Sequence, residues 1–113
     1  MNVVFSFQRL DCYVVARDFA RLVQHTAIAD AELRDQATRA AKSTFLNIAE
    51  GLPDRRLGVR RRHFETARDS LGEAVAAIDL ASVLGALSDA RAHELNTVAC
   101  RLAALLGGLL SRR

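Results

Sequence analysis

Proline and glycine are scarce in this chain: one proline and six glycines interrupt 113 residues, half of which are hydrophobic. That balance excludes a disordered or low-complexity polymer and leaves room for one domain with one core. Tryptophan is absent and aromatics make up 5% of residues, so a base-stacking platform for nucleic acid is not expected. Long apolar runs are missing too. The longest, residues 102–110, falls far short of the roughly 20 residues that span a bilayer. The opening MNVVFSFQRLDC has no basic segment leading into an apolar run, so no signal peptide is expected. The expectation is a cytoplasmic chain with no membrane contact.

Catalytic and metal-binding patterns are also wanting. No Glu-x-x-His pair, Cys-x-x-Cys, glycine-rich phosphate loop or Gly-x-Ser-x-Gly occurs. His25 and His93, with Asp30, Asp89 or Glu94, would supply at most half a metal site, and His63 falls at the other end of the predicted bundle. Glu50 with Glu73 could imitate a paired acid and base, but Arg39 and Arg68 nearby favour salt bridges. No enzyme, cofactor or metal is expected. The two cysteines, Cys12 and Cys100, would be offset by roughly 12 Å along antiparallel helices at about 1.5 Å per residue. They read as small apolar residues in a reducing compartment.

What is present is helical periodicity. Apolar residues recur at three-four spacing over about 8–25, 31–51, 59–84 and 89–111, and no strand-like alternation appears. Cys12, Val15, Phe19 and Leu22 mark the first stripe, with Val14 intruding on the polar face. Leu33, Ala37, Ala40, Ala41, Thr44 and Ile48 mark the second, opened by Asp30 as N-cap. Phe64, Ala67, Leu71, Val75, Ile78 and Ser82 mark the third, ended by Gly85. The fourth carries a heptad, Leu95, Val98, Leu102, Leu105 and Leu109, beside a second apolar row of Ala99, Ala103, Leu106 and Leu110. Short connections make consecutive helices antiparallel neighbours. The fold class is therefore all-α, a single up-and-down four-helix bundle. Helices one and four are apolar over about half their circumference, wider than the ~100° a monomer needs. A generous core would account for that, but the continuous extra row on helix four favours an intermolecular face.

Two polar patterns stand out. Gln36, Ala40, Ser43, Asn47 and Glu50 recur at four-three-four-three spacing along one side of helix two, with Arg39 beside them. Arg68, Ser70 and Glu73 add a second set on helix three. Polar groups beside a core need partners, so Arg39, Asn47, Glu50, Arg68 and Glu73 are expected to bond with one another, within or between subunits, unless the face is simply solvated. The second pattern is a basic connection, Gly51-Leu-Pro-Asp-Arg55-Arg56-Leu-Gly-Val-Arg60-Arg61-Arg62-His63. An antiparallel bundle adds Arg9, Arg112 and Arg113 to the same end, while Asp30, Glu32, Asp35, Asp79, Asp89 and Glu94 gather at the other. The net charge of +3 thus conceals a polarised molecule. Fifteen of sixteen basic side chains are arginine, whose flat fork suits carboxylates and phosphates, although nucleotide bias in the genome would give the same count.

The run Gln36-Ala-Thr-Arg39-Ala-Ala-Lys-Ser43-Thr-Phe-Leu-Asn47-Ile-Ala-Glu50-Gly51, the run Phe64-Glu-Thr-Ala67-Arg68-Asp-Ser70-Leu71-Gly-Glu73, and the opening residues 7–13 together resemble a known family. It is the four-helix-bundle family encoded in intervening sequences of bacterial 23S rRNA genes, which includes the accessory variability proteins of diversity-generating retroelements. The Asn-Ile-Ala-Glu-Gly run is the specific part. Tyr13 stands where the family usually has Trp, and Asp69 where it commonly carries Gly. The resemblance implies a cytosolic, non-catalytic protein assembling into rings, typically of five subunits, with nucleic-acid binding in some relatives. Two partners fit the basic end: RNA or DNA held through its backbone at Arg9, Arg55, Arg56, Arg60, Arg61, Arg62, Arg112 and Arg113, or an acidic protein.

Overall fold

The computed structural model describes residues 5–111. A short 3-10 turn, Ser6–Arg9, precedes four helices: α1 (Asp11–Gln24), α2 (Ala31–Gly51), α3 (Leu57–Val83) and α4 (Asp89–Ser111). Each helix packs on its neighbours in chain order, and α4 closes back on α1, giving an up-and-down bundle of 44 × 28 × 20 Å. No strand occurs among the described residues.

The first helix starts later than its periodicity suggests. Leu10 is extended (φ −67°, ψ 140°) and separates the 3-10 turn from α1. The Gln8 carboxamide accepts the Phe5 amide at 2.7 Å, which spends that side chain on the turn. Phe7 meets Tyr13 edge-on at 5.8 Å, and Tyr13 meets Phe45 at 5.0 Å, so the turn is pinned to α1 and α2 by aromatic contacts. α3 begins at Leu57, two residues before the periodic pattern.

The expected stripe on α2 is buried in full: Leu33, Ala37, Ala40, Ala41, Thr44 and Ile48. On α3 the buried face is richer in small residues than its large apolar positions suggest, with Ser70, Ala74, Ala77 and Ala81 joining Phe64, Ala67, Leu71 and Ile78, while Val75 and Ser82 are half-buried. Small side chains on both helices let α2 and α3 approach closely, and theirs is the most extensive contact in the bundle. Gly51 shows how tight the approach is. A Cβ placed there would lie 2.8 Å from Phe64 Cε1 and 3.0 Å from His63 Cβ.

On α4 the core row runs Ala92, Leu95, Ala99, Leu102, Leu106 and Leu110. Only Leu95 and Leu102 of the expected heptad lie fully inside. Val98, Leu105 and Leu109 are half-buried at the core edge, and Ala103 is exposed. The heptad and the core row share Leu95 and Leu102, so periodicity alone could not separate them. The broad apolar face of α1 is consumed inside the bundle: Cys12, Tyr13, Val15, Ala16, Phe19 and Val23 are buried, and Val14 is half-buried. That of α4 is not, since Cys100, Ala103, Ala104, Gly107 and Gly108 remain exposed. Both cysteines are free thiols. Burial pushes the Cys12 thiol up to about 11.

The helix ends are closed by specific groups. The Asp30 carboxylate accepts the Leu33 amide at 2.9 Å and caps α2. α3 ends in a Schellman turn, with Gly85 at φ 77°, the Ala86 amide donating to the Ala81 carbonyl at 2.8 Å and the Gly85 amide to the Ser82 carbonyl at 3.1 Å. The Ala29 amide then donates to the Ala86 carbonyl at 2.9 Å, tying the two connections at that end together.

Gly51→Ala should destabilise the protein by about 1–3 kcal/mol, because the added Cβ would force the buried Phe64 ring to shift. Thermal or denaturant melts check this, with Gly58→Ala, whose added Cβ meets nothing within 4 Å, as the control expected to leave stability unreduced.

Candidate functional site

Where α2 and α3 run side by side, their polar residues form a hydrogen-bonded chain. Ser43 Oγ lies 2.8 Å from Ser70 Oγ. Asn47 Nδ2 donates to the Ser43 carbonyl at 2.9 Å and to Ser43 Oγ at 3.3 Å. With its amide nitrogen so committed, Asn47 turns its Oδ1 toward His63 Nδ1 at 3.1 Å, which makes that ring nitrogen the donor. The same nitrogen is 3.6 Å from Glu50 Oε2. Asn47, Ser43 and Ser70 are thus satisfied at the edge of the core. A carboxamide does not relay protons, so His63 has no route through Asn47 to either hydroxyl. The chain holds two helices in register.

His63 belongs to this seam, although in the sequence it stands at the end of the arginine run. Antiparallel register would have found it. Two helical turns on from Ser43 lies Glu50, and two turns back from Ser70 lies His63. Gln36, Arg39 and Glu73 line, with Ala40, Ser43 and Ser70, an open notch of about 330 Å³ further along the same boundary. Arg68 is not there. It stands on the opposite flank of α3, at a groove shared with α4. No ion pair joins Arg39, Glu50, Arg68 and Glu73 among the described residues; Arg39, Arg68 and Glu73 are exposed, and His63 takes the place beside Glu50 that an arginine was expected to fill.

The arginines of the α2–α3 end divide by what they touch. Arg60 donates from Nη1 to the Leu52 carbonyl and lies over the Phe64 ring at 5.1 Å. Arg61 donates from Nη1 to the Leu110 carbonyl at 2.6 Å. Each therefore caps the C-terminal end of another helix, α2 and α4 respectively, where carbonyls lack intrahelical partners and the dipole favours a cation. Arg91 does the same for α1 from the far end of α4, with Nε on Thr26 Oγ1 at 3.0 Å and Nη2 on the Leu22 carbonyl at 3.3 Å. Arg56 is gripped by Asp54 at 3.1 and 2.9 Å, which holds the Asp54 carboxyl below its ordinary range. Arg55 and Arg62 are exposed and make no ion pair or hydrogen bond among the described residues. Arg112 and Arg113, and the side chain of Arg9, lie outside the described residues.

Among the described residues no three His, Cys, Asp or Glu side chains converge as metal ligands would. No helix among the described residues is long and apolar enough to cross a membrane.

Residues 8–108 match the model of a family described as 23S rRNA-intervening sequence protein. No curated protein matches the chain.

Asn47 and Arg68, alike polar and close to the core in sequence, should behave differently when replaced. Asn47→Ala should cost about 1–3 kcal/mol, since it strips His63 Nδ1 of its acceptor and Ser43 of a donor. Arg68→Ala, at an exposed site with no bond among the described residues, should leave the melt of the isolated subunit unchanged. Thermal melts of both variants at low protein concentration check the contrast.

Proposed function

The chain belongs to the 23S rRNA-intervening sequence protein family, and from that premise we propose a non-catalytic, homo-oligomeric bundle that binds nucleic-acid backbone through its arginine end. A ring is the assembly first in line, of five subunits by resemblance to the family. The observation that carries the binding reading is the pair Arg55 and Arg62, exposed and without an ion pair among the described residues, around the α2–α3 connection beside two further arginine heads. In a ring all subunits point the same way, so these forks would gather on one rim. Several weak phosphate contacts then act together. With no aromatic platform beside the run, contact would be to phosphates, with little sequence preference.

A second reading is supported by Leu57, which is 76% exposed in the midst of the same arginines. An apolar side chain among cations suits an acidic protein surface better than a phosphate backbone. Under that reading the bundle is an interaction scaffold without nucleic acid.

Binding to RNA and to DNA, titrated across salt, separates the two. The nucleic-acid reading requires tight binding at low salt and a steep loss as salt rises, because each neutralised phosphate releases counterions. Replacing Arg55 and Arg62 with Ser should lower the salt slope by about 0.7–0.9 for each phosphate that is no longer neutralised, while leaving the melt unchanged. Arg60 and Arg61 are unsuited to this test, since their removal also uncaps α2 and α4. If the wild-type protein ignores both nucleic acids at low salt, the scaffold reading replaces the first.

A further inference from the structure

Between α3 and α4 runs an open groove of about 500 Å³, lined by Arg68, Leu71, Gly72, Val75, Asn96, Ala99, Cys100 and Ala103. Three features in or beside it have no cause among the described residues. Gly72 sits in the middle of α3 and Gly107 continues the row Asn96, Cys100, Ala103 along α4, yet a Cβ on either would meet nothing within 4 Å. Glycine weakens a helix interior relative to alanine, so these two positions carry a cost that no contact among the described residues explains. Asn96 holds an amide oxygen that is buried without a hydrogen-bond partner. Arg68, on the rim, has no ion-pair partner among the described residues.

A complement exists on another face of the same molecule. Leu46 is 54% exposed inside α2, more than a turn before its last residue Gly51, whereas the other exposed large apolar side chains, Phe5, Leu10, Leu57, Leu80, Val83 and Leu84, lie at or near helix ends. It stands on a ridge with Lys42 and Glu50, one turn to either side. The ridge spans about 12 Å and the groove, from Arg68 to Val75, about 10 Å, at ~1.5 Å rise per residue. Their polarity agrees. Glu50 and Arg68 both lie toward the arginine end of the bundle, so subunits pointing the same way bring the carboxylate to the guanidinium. Lys42 then reaches the end of the groove where Asn96, once its amide rotates outward, offers its unpaired oxygen.

We propose that the Lys42–Leu46–Glu50 ridge of one subunit seats in the α3–α4 groove of a second copy. The two surfaces differ, so the contact is head-to-tail and each subunit offers one of each, the condition for a ring. Gly72 and Gly107 let the neighbouring helix come close, and Glu50 pairs with Arg68 across the interface. This rests on the assembly put forward above and names the surfaces that make it.

Two substitutions disable one surface each. Leu46→Gln removes the knob, and Gly72→Gln fills the groove; both sites face open space, so circular dichroism should show an intact bundle. Sedimentation should find the wild type assembled and each variant monomeric. Mixing the two variants should then yield a one-to-one dimer and nothing larger, because only one good knob and one good groove remain. Maleimide labelling of Cys100 supplies an independent reading: protected in the wild-type assembly, at least tenfold faster in either variant, with buried Cys12 silent in all. If the wild type assembles but both variants assemble equally well, or the mixture stays monomeric, this interface is wrong and the assembly must use another face. If the wild type is itself a monomer at high micromolar concentration, the assembly reading and this inference fall together.

Discussion

The close approach of α2 and α3 is the constraint from which the rest of the bundle follows. Two helices can come near one another only where their facing side chains are small, and here Ala37, Ala40, Ala41 and Thr44 meet Ala67, Ser70, Ala74 and Ala77. Alanine buries little area, so this boundary gains its cohesion from dense packing rather than bulk. The bulky residues sit away from it: Phe19, Ile28, Leu95, Leu102 and Leu106 come from α1, the α1–α2 connection and α4, and Phe64, Ile48 and Ile78 turn inward toward them. Closeness also brings polar atoms within reach. Ser43 and Ser70 can touch only because the backbones are near, and Asn47 and His63 extend the same bond chain to Glu50. At the end of the pair Gly51 supplies the last gap, against the Phe64 ring.

Helix ends impose the second demand, and arginine meets it. Three of the four helices have their terminal carbonyls satisfied by a guanidinium from a different helix, Arg91 for α1, Arg60 for α2 and Arg61 for α4, while α3 uses its own Schellman turn. A forked, permanently charged donor on a long stem can reach across a bundle end and remain hydrated on its outer edge. The preference for arginine over lysine in this chain thus has a structural component that composition alone does not show. It also reduces the cations available to a partner, which is why the binding argument narrows to Arg55 and Arg62.

α4 is the helix that the bundle leaves half covered. Its core row is complete, but the flank carrying Cys100 and Ala103 faces an apolar groove that no side chain among the described residues fills. α1 looked equally broad in sequence and is not left open, because Tyr13 engages the ring of Phe45 and Val14 is itself half-buried. The difference between these two helices is one of neighbours, not composition.

Features that depend on local period and local chemistry were legible in the chain alone. Helical class, the α2 stripe from Leu33 to Ile48, the Asp30 cap and the Gly85 stop all follow from residues within a few positions of each other. Periodicity could not tell which of two interleaved rows on α4 faces inward, since Leu95 and Leu102 belong to both. Nor did it reveal the 3-10 break before Asp11, where Gln8 turns back on Phe5. The arginine run read as one basic surface, yet Arg61 is bound to a carbonyl 49 residues away, and Arg68 and Ser70, two positions apart, point to opposite flanks of α3. Such pairings are decided only when helices are set side by side, because the acceptor a long side chain finds belongs to whichever helix end the packing has placed beside it.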